Sequence, residues 1–282
     1  MRTLIVTDST AYIPTDYAAR LGIEVVPLQV LIGDKSYEEG GEGAEAVLTA
    51  LRQGILATTS KPTPERFLET YQRAASQGYD AVVSIHLSKA ISGTYDSALV
   101  AASQAPIPVY VVDSKSLAMG LGFAAISAAH AAEEEIDAKE IVQIATTRAH
   151  ATVSYFTVAT LEQLRRSGRI SRGKALVASA LAIRPILTME DGEIVAFEKV
   201  RTSTKAIERI EELAINAARG RSVDLAVHHL GALELANAVA ESIQGGLAED
   251  GLVSEVIVSE VGAVVGAHTG PGMIAVVISP RI

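Results

Sequence analysis

The stretch AVVSIHLSKAISGT, residues 81–94, decides how the chain is read. Residues 81–85 form an apolar run interrupted only by Ser84. A strand with apolar residues on both of its sides is covered on both faces, which favours a parallel sheet over an in-out antiparallel one. The hydroxyl-rich segment 88–94 follows, and Ser92-Gly93-Thr94 stands where a helix over 93–104 begins. The same unit recurs. Leu4-Ile5-Val6-Thr7 runs into Asp8-Ser9-Thr10 and a helix over 15–21, and 23–30 and 109–112 read as further strands. Helices are expected over 64–77 and 117–134. This alternation predicts right-handed βαβ crossovers and an α/β layer whose mainly parallel sheet is flanked by helices.

The pattern changes after about residue 158. Ile186-Leu187-Thr188-Met189 and residues 194–200 flank Glu190-Asp191-Gly192-Glu193, a hairpin around an Asp-Gly turn. Ile207, Ile210, Leu213, Ala214 and Ala217 form one stripe of a helix over 204–218. Strands over 225–229, 256–258 and 273–278 and a helix over 233–244 complete an α+β unit with a mixed sheet. Two domains are therefore expected, 1–160 and 161–282, with the boundary in the 161–171 stretch.

Composition narrows the function. Apolar residues make up 49% of the 282 and charged residues 20%, as in an ordinary globular protein. The formal charge of −9 comes without a basic block, which disfavours nucleic acid. The absence of Cys excludes disulfides, thiol nucleophiles and Cys-ligated zinc. The opening MRTLIVTDST reads as strand and turn, not as a signal peptide, and residues 116–132 are too short and too weakly apolar to span a bilayer. A cytoplasmic protein is expected.

Polar clusters fall at the ends of the expected parallel strands, where open α/β sheets place ligands. They are Asp8-Ser9-Thr10, residues 58–63, residues 88–94 and Asp113-Ser114, with a glycine-rich loop over 262–272 that carries His268. Taken singly, each has a plain structural explanation. Ser92 suits a helix cap, Asp8 and Asp113 suit caps or turns, and Pro64 suits a first helical turn. His228 and His229 lie on one strand and face opposite ways, so they do not share an ion. No metal-ligand spacing and no nucleotide loop is present. Taken together, hydroxyls at strand ends, a helix N-terminus and the His268 loop describe a site for a carboxylate or phosphate.

The order of these motifs resembles the DegV family of bacterial fatty-acid-binding proteins. The matching pieces are Val6-Thr7-Asp8-Ser9-Thr10, Val26-Pro27-Leu28, Thr59-Ser60-Lys61-Pro62-Thr63, Ser92-Gly93-Thr94-Tyr95 and Val112-Asp113-Ser114. Further along come Gly168-Arg169-Ile170, Arg184-Pro185-Ile186-Leu187, Arg201-Thr202 and residues 266–272. The resemblance implies a two-domain α/β protein that binds one long-chain fatty acid in a tunnel at the domain junction, with no cofactor. The head-group site would belong to 1–160, and 161–282 would contribute the tunnel and the His268 loop. It implies no activity of its own and a separate fatty-acid kinase as partner, which phosphorylates the presented carboxylate to an acyl phosphate for phospholipid synthesis. Transient contact with a membrane surface is compatible with that role. By motif position, Thr59 and Ser92 resemble the carboxylate-binding hydroxyls. Ser60, Gly93 and Thr94 would line the same pocket, and His268 and Arg201 would lie near the head group. Lys61 stands where the family usually has Gln, and Ser167 where it often has Gly. Lys61 either adds a charge at the carboxylate or points to solvent. The helices over 173–183 and 117–132 are candidate tunnel walls as well as ordinary core.

Two other functions are weighed against this one. A serine hydrolase or acyl transferase would use Ser92 as nucleophile and His268 as base, although Ala90 and Thr94 stand where a nucleophile elbow has glycines. A carrier of another amphipathic anion would use the same site for a different acyl or isoprenoid acid.

Overall fold

A computed structural model describes residues 1–40, 45–47, 49–50, 53, 55, 57–170, 184–248 and 256–282. The first sheet is built from β1 (Thr3–Asp8), β2 (Glu24–Val26), β6 (Ala81–His86) and β7 (Val109–Asp113), in the order β2-β1-β6-β7 with every pair parallel. β1 and β6 are buried at all six positions each, as their continuous apolar runs require. Helices α1 (Thr15–Arg20), α2 (Pro64–Ser76), α3 (Thr94–Ala102), α4 (Met119–Glu133) and α5 (Ala138–Ala151) belong to this half. α4 presents almost no polar face and lies in the core with Ile5, Val83, Ile85 and Ile141.

A small antiparallel sheet of β3 (Gln29–Ile32), β4 (Lys35–Glu38) and β5 (Ala57–Ser60) branches off it in the order β4-β3-β5. The single strand expected over 23–30 is in fact two. Pro27 has no N–H to give a ladder, so the chain leaves the parallel sheet at Val26 and starts a new one at Gln29.

The second large sheet has the order β10-β9-β8-β13-β11-β12 and is mixed, with only β11 and β12 parallel. Its strands are β8 (Val153–Thr157), β9 (Arg184–Glu190), β10 (Glu193–Val200), β11 (Val223–His229), β12 (Ile257–Glu260) and β13 (Ile274–Pro280). α7 (Ser203–Ala218) and α8 (Leu233–Gly246) pack on one face, and the short helices α6 (Glu162–Arg166) and α9 (Ala263–Thr269) lie toward the first half. Asp191 (φ 50°) and Gly192 (φ 85°) both sit at positive φ in the β9–β10 turn, as a two-residue primed hairpin demands. The fold class read from the sequence is the one observed. The crossing between sheets comes earlier than the expected boundary near 160: β8 already belongs to the second sheet, because Val153–Thr157 pairs with β13 and β9. The proposed tunnel helix over 173–183 lies outside the described residues.

Candidate functional site

A cavity of about 340 Å³ opens between the two halves. Its apolar wall includes Leu28, Leu87, Ile91, Leu117, Leu164, Ile194, Val264 and Val265. Its polar lining includes Thr10, Thr59, Ser60, Lys61, Ser92, Arg169, His268 and Thr269, with Gly93 beside Ser92. Among the described residues no Asp or Glu lines it, in a chain of net charge −9.

Thr59 comes from β5, where β-branched Thr suits a half-buried strand. The chain then turns through Lys61-Pro62-Thr63 into α2, whose start is capped by the Thr63 hydroxyl and opened by Pro64. Ser92 and Gly93 lie at the start of α3. Ser92 is not the cap residue; Gly93 is, and it offers no side chain to the helix. The Ser92 hydroxyl instead accepts from Thr94 N (3.3 Å) and pairs with Thr94 Oγ1 (2.9 Å). Thr94 is buried and stays off the cavity surface. A Cβ built on Gly93 would lie 2.9 Å from Lys61 Cδ and 3.1 Å from Nζ, so the missing side chain leaves the space in which the lysine lies.

The loop expected over 262–272 contains a helix, α9. His268 sits in its last turn, and Gly270 (φ 74°) ends it. His268 Nε2 lies 2.9 Å from Thr59 Oγ1, joining residues 209 apart. Its Nδ1 is buried with no partner among the described residues. Burial, and then Arg169 nearby, push the imidazole pKa down to about 4, so the ring is neutral at neutral pH. Arg169 follows Gly168 (φ 68°) in the turn after α6, where its guanidinium meets Ser167 O. Sequence reasoning missed it as a site residue, although Gly168-Arg169 is one of the family motifs. Arg201, expected near the head group, is exposed after β10 and does not line the cavity.

The nucleophile–base relay of a hydrolase is not assembled. His268 Nε2 is engaged by Thr59 and not Ser92, and no described carboxylate partners Nδ1. A Ser-His-Asp chain does exist elsewhere: Ser84 Oγ is 2.7 Å from His86 Nε2, and His86 Nδ1 is 3.1 Å from Asp8 Oδ2. All three are fully buried, and Ser84 also bonds Tyr71 OH. Among the described residues no group of His, Asp and Glu could hold a metal.

The model of the DegV family, described as an uncharacterised protein family, matches residues 2–281. The chain belongs to the DegV family. A DegV domain-containing protein of Streptomyces coelicolor is 51% identical over 278 residues, 98% of each chain. Two solved DegV-family structures cover 100% of both chains: one from Thermus thermophilus (33% identity, TM-score 0.90) and DegV of Bacillus subtilis (35%, 0.89). Both are described as binding fatty acids. No helix among the described residues of this DegV-family chain is long and apolar enough to cross a membrane.

Proposed function

We propose that the chain binds one long-chain fatty acid, with its tail in the apolar part of the cavity and its carboxylate at the polar end. One observation carries this reading: a largely apolar cavity is lined by the hydroxyls of Thr59 and Ser92, by the cations Lys61 and Arg169 and, among the described residues, by no acid. Among the described residues no ion pair is seen for Lys61, and the described contact of Arg169 is a carbonyl of its own turn. Both are therefore free to face an anion. Hydroxyls of Thr59 and Ser92 would hold the carboxylate oxygens at the start of α3. Ser60 and Gly93 line the same end, Thr94 acts by holding Ser92, and His268 acts through Thr59. Fatty-acid binding by the relatives supports the choice of ligand.

The energetics suit a carrier. About 14 methylenes at ~0.8 kcal/mol each give up to ~11 kcal/mol of burial. An association cost of about 4 kcal/mol, at the low end, leaves about 7 kcal/mol, an affinity in the micromolar range. The tail supplies affinity, and the polar end fixes which end of the ligand is presented. In the same reading the chain has no chemistry of its own. It works in the cytoplasm, where a separate kinase phosphorylates the presented carboxylate and the acyl phosphate feeds phospholipid synthesis; contact with the membrane surface is transient.

Denaturing the freshly purified protein, extracting it with solvent and running mass spectrometry on the extract tests this directly. A stoichiometric long-chain fatty acid is expected, and an isoprenoid or other amphipathic acid would redirect the reading to that ligand. A lipid-free protein that also fails to bind added palmitate would end it. Incubation with ATP alone should yield no acyl phosphate, whereas adding a fatty-acid kinase should.

A further inference from the structure

We propose that Glu39 is a positioning residue for the head-group site, its carboxylate serving as the N-terminal cap of α9 and thereby setting the place of His268. This rests on the fatty-acid reading above. Glu39 follows β4 and is 7% exposed. Its Oε1 accepts from Val264 N (2.7 Å) and from the Tyr12 hydroxyl (3.0 Å), and its Oε2 accepts from the Ser9 hydroxyl (2.6 Å). Tyr12 OH in turn accepts from Val265 N (3.4 Å). Two amides in the first turn of α9 are thus satisfied by side chains of the N-terminal half, while the cap residue itself, Gly262, contributes none.

Gly262 is not required by its backbone, since φ −75° and ψ −174° suit any residue. It is required by space: a Cβ there would lie 2.4 Å from Glu39 Oε1. Among the described residues no cation pairs with Glu39. A carboxylate buried in that way is costly unless donors and a helix N-terminus compensate it. On balance its pKa is raised: burial and, least of all, nearby Asp8 raise it, and Ser9, the Val264 amide and Tyr12 offset that only in part. His268 is four residues beyond Val264, about 6 Å along the same helix axis. A shift of the capped end therefore moves the imidazole relative to Thr59, and Val264 and Val265 are themselves cavity wall.

The test compares palmitate with palmityl alcohol, which shares the tail and lacks the charge. Binding of both is measured by calorimetry for the wild type, Glu39→Ala, Glu39→Gln, Gly262→Ala, the double variant Glu39→Ala/Gly262→Ala and His268→Ala. Losing the cap should weaken palmitate about tenfold in Glu39→Ala and in Gly262→Ala and the alcohol less than about twofold. Glu39→Gln, whose amide oxygen still accepts from Val264 N, should restore most of the preference. The double variant should be no worse than Glu39→Ala, because the carboxylate oxygen that the added methyl group would strike is gone. His268 imidazole resonances should move in the two disruptive variants and stay in place in Glu39→Gln. If Glu39→Ala does not fold, Gly262→Ala and Glu39→Gln carry the same contrast. Wild-type preference in Glu39→Ala or Gly262→Ala, or equal losses for acid and alcohol, would overturn the proposal. An unchanged preference in His268→Ala would overturn the head-group reading instead, so the two failures are distinguishable.

Discussion

Acidification should destabilise this protein through one buried side chain, His228. It is fully buried on β11. Its Nε2 accepts the backbone N–H of Met119 at 3.1 Å, and its Nδ1 lies 3.0 Å from Ser259 Oγ. An N–H can only donate, so Nε2 must be unprotonated, and a proton there would displace the bond that starts α4. Burial holds the pKa at about 4 against an ordinary 6.5. Between those values the unfolded chain binds the proton and the folded one does not, so stability rises with pH and is lost as the pH falls. For one site with these two pKa values, going from pH 7 to pH 5 costs about 2 kcal/mol. The assay is urea unfolding of the wild type and of His228→Gln at both pH values. Gln can still accept from Met119 N and does not titrate. Other groups, His268 included, cancel in the comparison, so the wild type should lose about 2 kcal/mol more than the variant on acidification. Equal losses in the two proteins would refute the assignment of a neutral, acceptor Nε2.

Further outcomes follow from other parts of the structure. Thr59→Val and Ser92→Ala should each weaken palmitate by about fivefold, the worth of one net hydrogen bond, as read by calorimetry. Lys61→Gln should lower palmitate affinity at low salt and flatten its salt dependence without changing the alcohol; a lysine directed only to solvent would leave both curves alone. Asp8 accepts from Thr10 N, Thr10 Oγ1, Leu87 N and His86, all buried, so Asp8→Ala should cost about 3 kcal/mol or more in chemical denaturation. Ala118 caps α4 at φ 53° and ψ −144°, a region that glycine tolerates, so Ala118→Gly should raise the urea midpoint, by about 1 kcal/mol in stability.

Local patterns were strong enough to read the layers. The continuous apolar runs at residues 4–7 and 81–85 dictated strands covered on both faces, and Asp191-Gly192 dictated the hairpin, because these depend on spacing and backbone preference alone. The same reasoning could propose Thr59, Ser92 and His268 as one site, since strand ends and helix starts gather ligands, and the ordered family motifs supplied the head-group roles. Other features depend on distant parts of the chain. Pro27 ended β2, yet nothing local showed that the chain would then build a separate three-stranded sheet carrying Thr59. Glycines at 262, 266, 270 and 272 suggested a loop, and only packing under Leu230 and capping by Glu39 made α9 a helix. The stretch 117–132 suggested a tunnel wall as well as core; the fold buried nearly all of its helix, and Leu117, just before it, lines the cavity. Arg201 and Arg169 carry the same charge, and the tertiary arrangement alone put Arg169 at the cavity and Arg201 in solvent. The sequence by itself determined the strands and helices whose own periodicity and turn residues suffice, such as β1, β6 and the β9–β10 hairpin. The partners across the cavity, Thr59 with His268 and Glu39 with α9, were decided by tertiary structure, because residues more than 200 positions apart meet only when the two halves close on each other.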